Sequence, residues 1–204
     1  MTRGLYLRRF ALIPSVCAVA LFATFARAQQ LDVAGGAGEL YSSSNTTASQ
    51  TYLPPPLKGG IYPSVSILRS FANHYGYSAE LSTVYKQQLY NGFQGYRPIF
   101  YDLNGAYAHH VAKRTTADFM AGIGGETILF YNQYGTCRYA GGCFPRVNAS
   151  HFLFHLGAGA RISLWRGMFV RPEANYYYII DNNEFHSGNV IRLGASLGYT
   201  FHRD

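Results

Sequence analysis

Residues 190–201 read VIRLGASLGYTF. Ile191, Leu193, Ala195, Leu197, Tyr199 and Phe201 share one parity, and Arg192, Gly194, Ser196, Gly198 and Thr200 share the other. Successive side chains of a β-strand point to opposite faces, so this segment lies between an apolar and a polar environment. A soluble β-sandwich would ask for the same pattern. The choice between the two rests on what surrounds the stretch.

Working outward, the alternation recurs. Phe152, Phe154, Leu156, Ala158, Ala160, Ile162 and Leu164 share a face, opposite Leu153, His155, Gly157, Gly159, Arg161 and Ser163. Another segment sets Ile99, Tyr101, Leu103, Tyr107 and Val111 against Asp102, Asn104, Ala106 and His110. Eight candidate strands fall near residues 31–43, 60–72, 76–90, 97–112, 117–132, 150–164, 168–181 and 189–201. The first is Gly-rich (VAGGAGEL) and its faces are poorly marked. Short turns at 73–75, 113–116 and 165–167 alternate with longer connections at 44–59, 91–96, 133–149 and 182–188.

The N-terminus carries an address. Arg3, Arg8 and Arg9 precede an apolar run from Phe10 to Phe25, and Ala26-Arg27-Ala28 forms a small-x-small cleavage box before Gln29. This is the layout of a secretory signal peptide over residues 1–28. Its apolar run is shorter than the about 20 residues a membrane helix needs. Cys17 sits inside that run behind Pro14, which fits a lipid-attachment box poorly. Of the 17 Lys and Arg, four (Arg3, Arg8, Arg9, Arg27) lie in the signal with none of the 10 acids, leaving 13 bases against 10 acids. Without a clustered basic stripe the mature chain lacks the footprint of a nucleic-acid binder.

Beyond residue 28 no apolar run is long enough for a helical span. Residues 29–204 make one domain's worth of chain. An export signal, alternating strands and unequal connections describe an eight-stranded, antiparallel, up-and-down transmembrane β-barrel of the bacterial outer membrane, with short turns in the periplasm. Tyr62, Tyr77, Tyr85, Tyr90, Tyr131, Trp165, Phe169, Tyr176, Tyr178 and Tyr199 fall toward strand ends, where amphipathic rings suit the water–lipid boundary. High β propensity accounts for part of that pattern.

With the apolar face turned to lipid, parity sends Glu39, Glu80, Lys86, Asp102, Glu126, Arg161, Arg171, Glu173 and Arg192 into the lumen. An isolated charge there is costly, so each calls for opposite charges and Tyr or Asn partners. A barrel this narrow has room for side chains rather than a wide channel. The network therefore plugs and stabilises the barrel; a gated pore that opens by exchange of ion-pair partners is the sharper reading.

Cys137 and Cys143 lie in GTCRYAGGCFP and, in an oxidising compartment, form a disulfide that closes a short loop. A metal site needs about four ligands, and no His or further Cys lies on this loop. No metal, cofactor or catalytic residue is expected. His186-Ser187, with Asp181 and Glu184 nearby, raises an acyl hydrolase of lipid A, but adjacent strand residues point apart. His109-His110 is split in the same way. A soluble periplasmic barrel carrying a small apolar ligand is the remaining alternative, and it would turn its apolar residues inward.

LGAGARISLWRGMFVRPEANYYYI at 156–179 and NVIRLGASLGYTF at 189–201 resemble the OmpA-like, opacity-type family of small outer-membrane β-barrel proteins. The first resembles that family's Gly-rich strand, short turn and following strand opening Arg171-Pro172-Glu173. The second resembles its closing strand with an inward Arg. The resemblance covers roughly the last 50 residues in sequence and the rest in pattern. It implies eight strands assembled by the outer-membrane insertion machinery, variable surface loops and often no catalysis. Family members often end on the aromatic residue, whereas His202-Arg203-Asp204 follow Phe201 here. No peptidoglycan-binding domain is expected after the barrel. The expected partners are outer-membrane lipid, the insertion machinery and a surface ligand at the long loops, with the protein a monomer.

Overall fold

A computed structural model describes residues 30–42, 56–57, 59–71, 74–90, 92, 94–138, 142–185 and 188–202, with side chains left undescribed at 132–146 and 202. Residues 1–28, read above as the signal, lie outside them. The strands are β1 (Gln30–Ser42), β2 (Ile61–Ser70), β3 (Tyr75–Thr83), β4 (Gln88–Tyr90), β5 (Gln94–Ala112), β6 (Thr115–Arg138), β7 (Gly142–Ser163), β8 (Met168–Ile179) and β9 (Asn189–His202). Every pairing is antiparallel between neighbours in sequence, and β1 closes on β9. β3 pairs with β5 directly, while β4 extends the same wall against Gln94–Tyr96. The result is a closed eight-stranded barrel, which leaves no long sheet edge unpaired.

The third expected strand is broken. Between Thr83 and Gln88 the chain leaves the ladder, and Tyr85 N–H donates to the Ile61 carbonyl at 2.9 Å. At the other extreme, β6 and β7 run through most of the expected 133–149 loop, with a register slip between Tyr131 and Thr136. Above an apolar belt nothing demands alternation, so the sequence signal fades while the backbone ladder continues. β5 likewise begins inside the expected 91–96 loop.

Tight hairpins lie at one end. In the β7–β8 turn Arg166 and Gly167 both have positive φ, and Met168 N–H donates to the Trp165 carbonyl at 2.9 Å. The positive φ pair is that of a type I′ turn, whose twist matches that of paired strands, set in a three-residue connection because Leu164 N–H donates to the Met168 carbonyl at 2.8 Å. Lys113-Arg114 make the equally short β5–β6 turn, and residues 71–74 join β2 to β3. The first and last described residues, Gln30 and His202, are register partners at this same end.

The faces divide as parity demands. Leu193, Leu197 and Phe154 are 49%, 51% and 46% exposed, whereas Arg192 and Arg161 are 1% and 7% exposed. Val65, Ile67, Leu81, Leu103, Phe119, Ile123 and Leu156 continue the outward apolar belt. Soluble monomers rarely expose contiguous apolar patches beyond a few hundred Å²; a hydrocarbon solvent is what this surface matches. A carrier with an apolar cavity turned inward and ions outside would show the reverse.

Candidate functional site: the barrel lumen

The interior is layered. Nearest the tight turns, Arg161 pairs with Asp32 and reaches Asp118 at 3.4 Å, and Gln30 Nε2 donates to Asp32 Oδ1 at 2.9 Å. The Arg161 guanidinium also lies 5.9 Å from the centre of the Phe169 ring. Above it, Arg171 Nε donates to Glu173 Oε2 at 3.0 Å and Arg171 Nη2 to Ser66 Oγ at 3.0 Å. Arg192 bridges Glu80 and, at 3.2 Å, Glu173. Higher still, Asn104 Nδ2 donates to Asp102 Oδ1 at 2.5 Å, and the His155 ring spans Asn104 Oδ1 at 2.8 Å and Asn175 Oδ1 at 3.0 Å. Tyr177 stacks on His155 with ring centres 4.8 Å apart.

Long side chains fit because glycine clears the neighbouring strand. A Cβ on Gly38 would meet Arg192 Cγ at 3.0 Å, and one on Gly122 would meet Asn104 Oδ1 at 2.4 Å. The Gly content of strands β1 and β6 is thus the space in which the charges are stored.

The half toward the long connections is apolar. Leu40, Tyr62, Tyr96, Phe100, Ile128, Phe130, Leu153 and Val190 form one buried cluster, joined by Phe185 and Leu57 from the connections. Phe185 packs 4.8 Å from the Tyr96 ring and parallel to Phe130 at 6.2 Å. Glu126 is fully buried beside it: Asn182 Nδ2 donates to Oε2 at 2.9 Å, while Oε1 has no partner among the described residues. His151 meets Glu184 at 2.9 Å, and Tyr90 Oη donates to the Glu184 carbonyl at 2.9 Å. The β8–β9 connection thereby folds back over the mouth and is fastened there.

Seven of the nine residues assigned to the lumen are inside: Glu80, Asp102, Glu126, Arg161, Arg171, Glu173 and Arg192. Six of them, all but Glu126, lie within the ion-pair layers. Two are corrections. Glu39 points outward and accepts from Tyr41 Oη at 2.9 Å, because Gly35, Gly36 and Gly38 leave β1 without side chains to mark its faces. Lys86 is exposed in the break between β3 and β4, where counting parity through an assumed continuous strand fails. Sequence reasoning missed Asp32 and Asp118 as ion-pair partners. Asp118 shares parity with Glu126 on β6, a signal that was legible.

Of the expected boundary aromatics, Tyr77, Tyr85, Trp165, Tyr178 and Tyr199 are exposed, but Tyr62 and Phe169 are buried inside the barrel. Arg166 covers the outer face of Trp165, 4.4 Å from the ring centre. His186 and Ser187 lie outside the described residues. His109 and His110 part: the first ring stacks against Tyr107 on the outer wall, and the second meets Thr116 Oγ1 at 3.1 Å. The ladder sets Cys137 opposite Cys143, with both side chains outside the described residues.

No family model matches the sequence, and no curated protein matches it. The fold is similar to solved outer-membrane barrels. Neisserial surface protein A shares 12% identity over 84% of this chain and 97% of that one, with a TM-score of 0.61. Ail, the attachment invasion locus protein of Yersinia pestis, solved with the heparin analogue sucrose octasulfate, shares 12% identity over 84% and 98%, with a TM-score of 0.58. The N-terminal β-barrel domain of Pseudomonas aeruginosa OprF shares 8% identity over 85% and 98%, with a TM-score of 0.56.

Proposed function

We propose that this chain is a monomeric integral protein of the bacterial outer membrane, with a plugged lumen and a role in envelope structure and surface interaction. The observation that carries it is the inversion of faces: Leu193 and Leu197 outside, Arg192 and its partners inside. The solved barrels of similar fold are outer-membrane proteins, among them a surface protein and an attachment protein, which supports both the location and the role. Any surface ligand would meet the connection at 44–59 and the β6–β7 hairpin, whose strands take up most of 133–149. The insertion machinery would close the barrel by joining β9 to β1.

The lumen supports a plug better than an open pore. A solute entering from the long-connection side meets the Phe185–Tyr96–Phe130 cluster and then the Arg192 and Arg161 ion pairs. Passage of small solutes would require both layers to move. Membrane fractionation with heat-modifiable gel migration tests the reading. Recovery with the membranes and a compact, faster-migrating unheated form is expected. Recovery in the soluble periplasm without detergent overturns it. Ser187→Ala is expected to leave the acylation of outer-leaflet lipid unchanged; an altered pattern would make the chain a hydrolase.

A further inference from the structure

The outward wall over β3, β5, β6 and β7 has a gap in its belt. Gly105 and Ala121 are register partners and both face out. Leu103 and Ile123 stand beyond them on one side; Tyr75, Tyr107 and Phe119 stand on the side of the tight turns. The groove between has a volume of about 580 Å³ and an almost wholly apolar lining that reaches Phe71 and Leu156. A strand glycine marks a bulge, a tight bend or a place where another group can approach the backbone closely. Gly105 is open outward: a Cβ there would meet only the Ala121 carbonyl oxygen, at 3.8 Å.

Beyond the end of the groove toward the tight turns, the β5–β6 turn is basic. Lys113 and Arg114 form the β5–β6 turn and are exposed. His74 lies 5.9 Å from the Tyr107 ring and 6.3 Å from that of His109. The His74 Nδ1 faces the Ala108 carbonyl at 3.0 Å, which fixes the ring. Asp118, the acid on this part of β6, is turned inward to Arg161. An apolar trough in a lipid-facing wall, with exposed basic residues in the turn beyond its end, fits a molecule with a hydrocarbon tail and an anionic head.

We propose that this groove seats one acyl chain of an anionic glycerophospholipid of the periplasmic leaflet, with its phosphate held by Lys113, Arg114 and the His74–His109 pair. The site rests on the membrane reading above. A second copy of this chain would instead have to bring an apolar ridge and an acidic edge to the same place.

Native mass spectrometry of the barrel released from nanodiscs of mixed phosphatidylglycerol and phosphatidylcholine tests it. Wild type is expected to retain one phosphatidylglycerol. Gly105→Leu fills the trough and should abolish retention, whereas Ala195→Leu, on the outward face of β9, should not. Lys113→Gln with Arg114→Gln should leave a lipid bound but reduce the preference for phosphatidylglycerol by on the order of tenfold. Ala121→Leu repeats the filling test should Gly105→Leu fail to insert. Equal retention by wild type and filled variants, equal loss in Ala195→Leu, or release as a dimer without lipid overturns the proposal. Heat-modifiable migration of each variant reports separately on membrane insertion.

Discussion

Arg192 and Leu193 are neighbours in sequence that face opposite surroundings. Arg192 is held by Glu80 and Glu173 with its guanidinium 6.0 Å from the Tyr177 ring centre. Arg192→Met strands the Glu80 carboxylate and leaves Glu173 to Arg171 alone; it should cost about 3–5 kcal/mol, the range for breaking a buried pair from one side. Leu193→Arg places a charge on the lipid face and should cost about 2–4 kcal/mol near the midplane. Urea unfolding in lipid vesicles measures both; a neutral Leu193→Arg would mean that this face meets water. Alternation reveals both roles because Arg192, Leu193 and most of their neighbours on β9 carry side chains that declare their environment. On β1 the glycines declare nothing, so parity sends Glu39 to the wrong face and gives Asp32 no mark of its own. Which acid pairs with which Arg was not legible, since Asp32 and Arg161 are 129 positions apart and meet only through barrel closure.

Among the elements, the β6–β7 hairpin and the β8–β9 connection carry the surface end of the molecule. Directly opposed residues of an antiparallel ladder have Cα atoms about 4.5–5.5 Å apart, inside the window a disulfide accepts. Cys137 and Cys143 are such a pair, and we propose that they are bridged: maleimide should then label them only after reduction, and two free thiols in freshly isolated membranes would overturn the proposal. The β8–β9 connection is held by Asn182 on Glu126 and by Phe185 among the aromatic rings. Phe185→Ala should free this segment and cost about 3–5 kcal/mol, as removal of a buried Phe does. Hydrogen exchange at residues 181–190 would report the release. Strand number and order were readable because lipid imposes period-two patterning on every spanning segment. Strand ends were not, since β6 and β7 continue as backbone ladders where no apolar solvent selects side chains.

For the whole molecule, barrel closure converts eight amphipathic strands into one object with hydrocarbon-compatible skin and a stapled interior. Two independent seals follow each other along the axis, an aromatic one and an ionic one. In a planar bilayer the wild-type protein should show no steady conductance, and a continuously open channel would contradict the plugged lumen. The orientation of the faces is tested most directly by spin labels at positions 103, 154, 193 and 197 in a Cys137→Ser, Cys143→Ser background, reconstituted in lipid. Collisions with oxygen should dominate over those with a water-soluble nickel reagent at all four, and a label at 85 or 89 should show the opposite balance. Labels at 193 and 197 that are shielded from oxygen, or readily reached by nickel, would mean that the apolar face does not meet the bilayer.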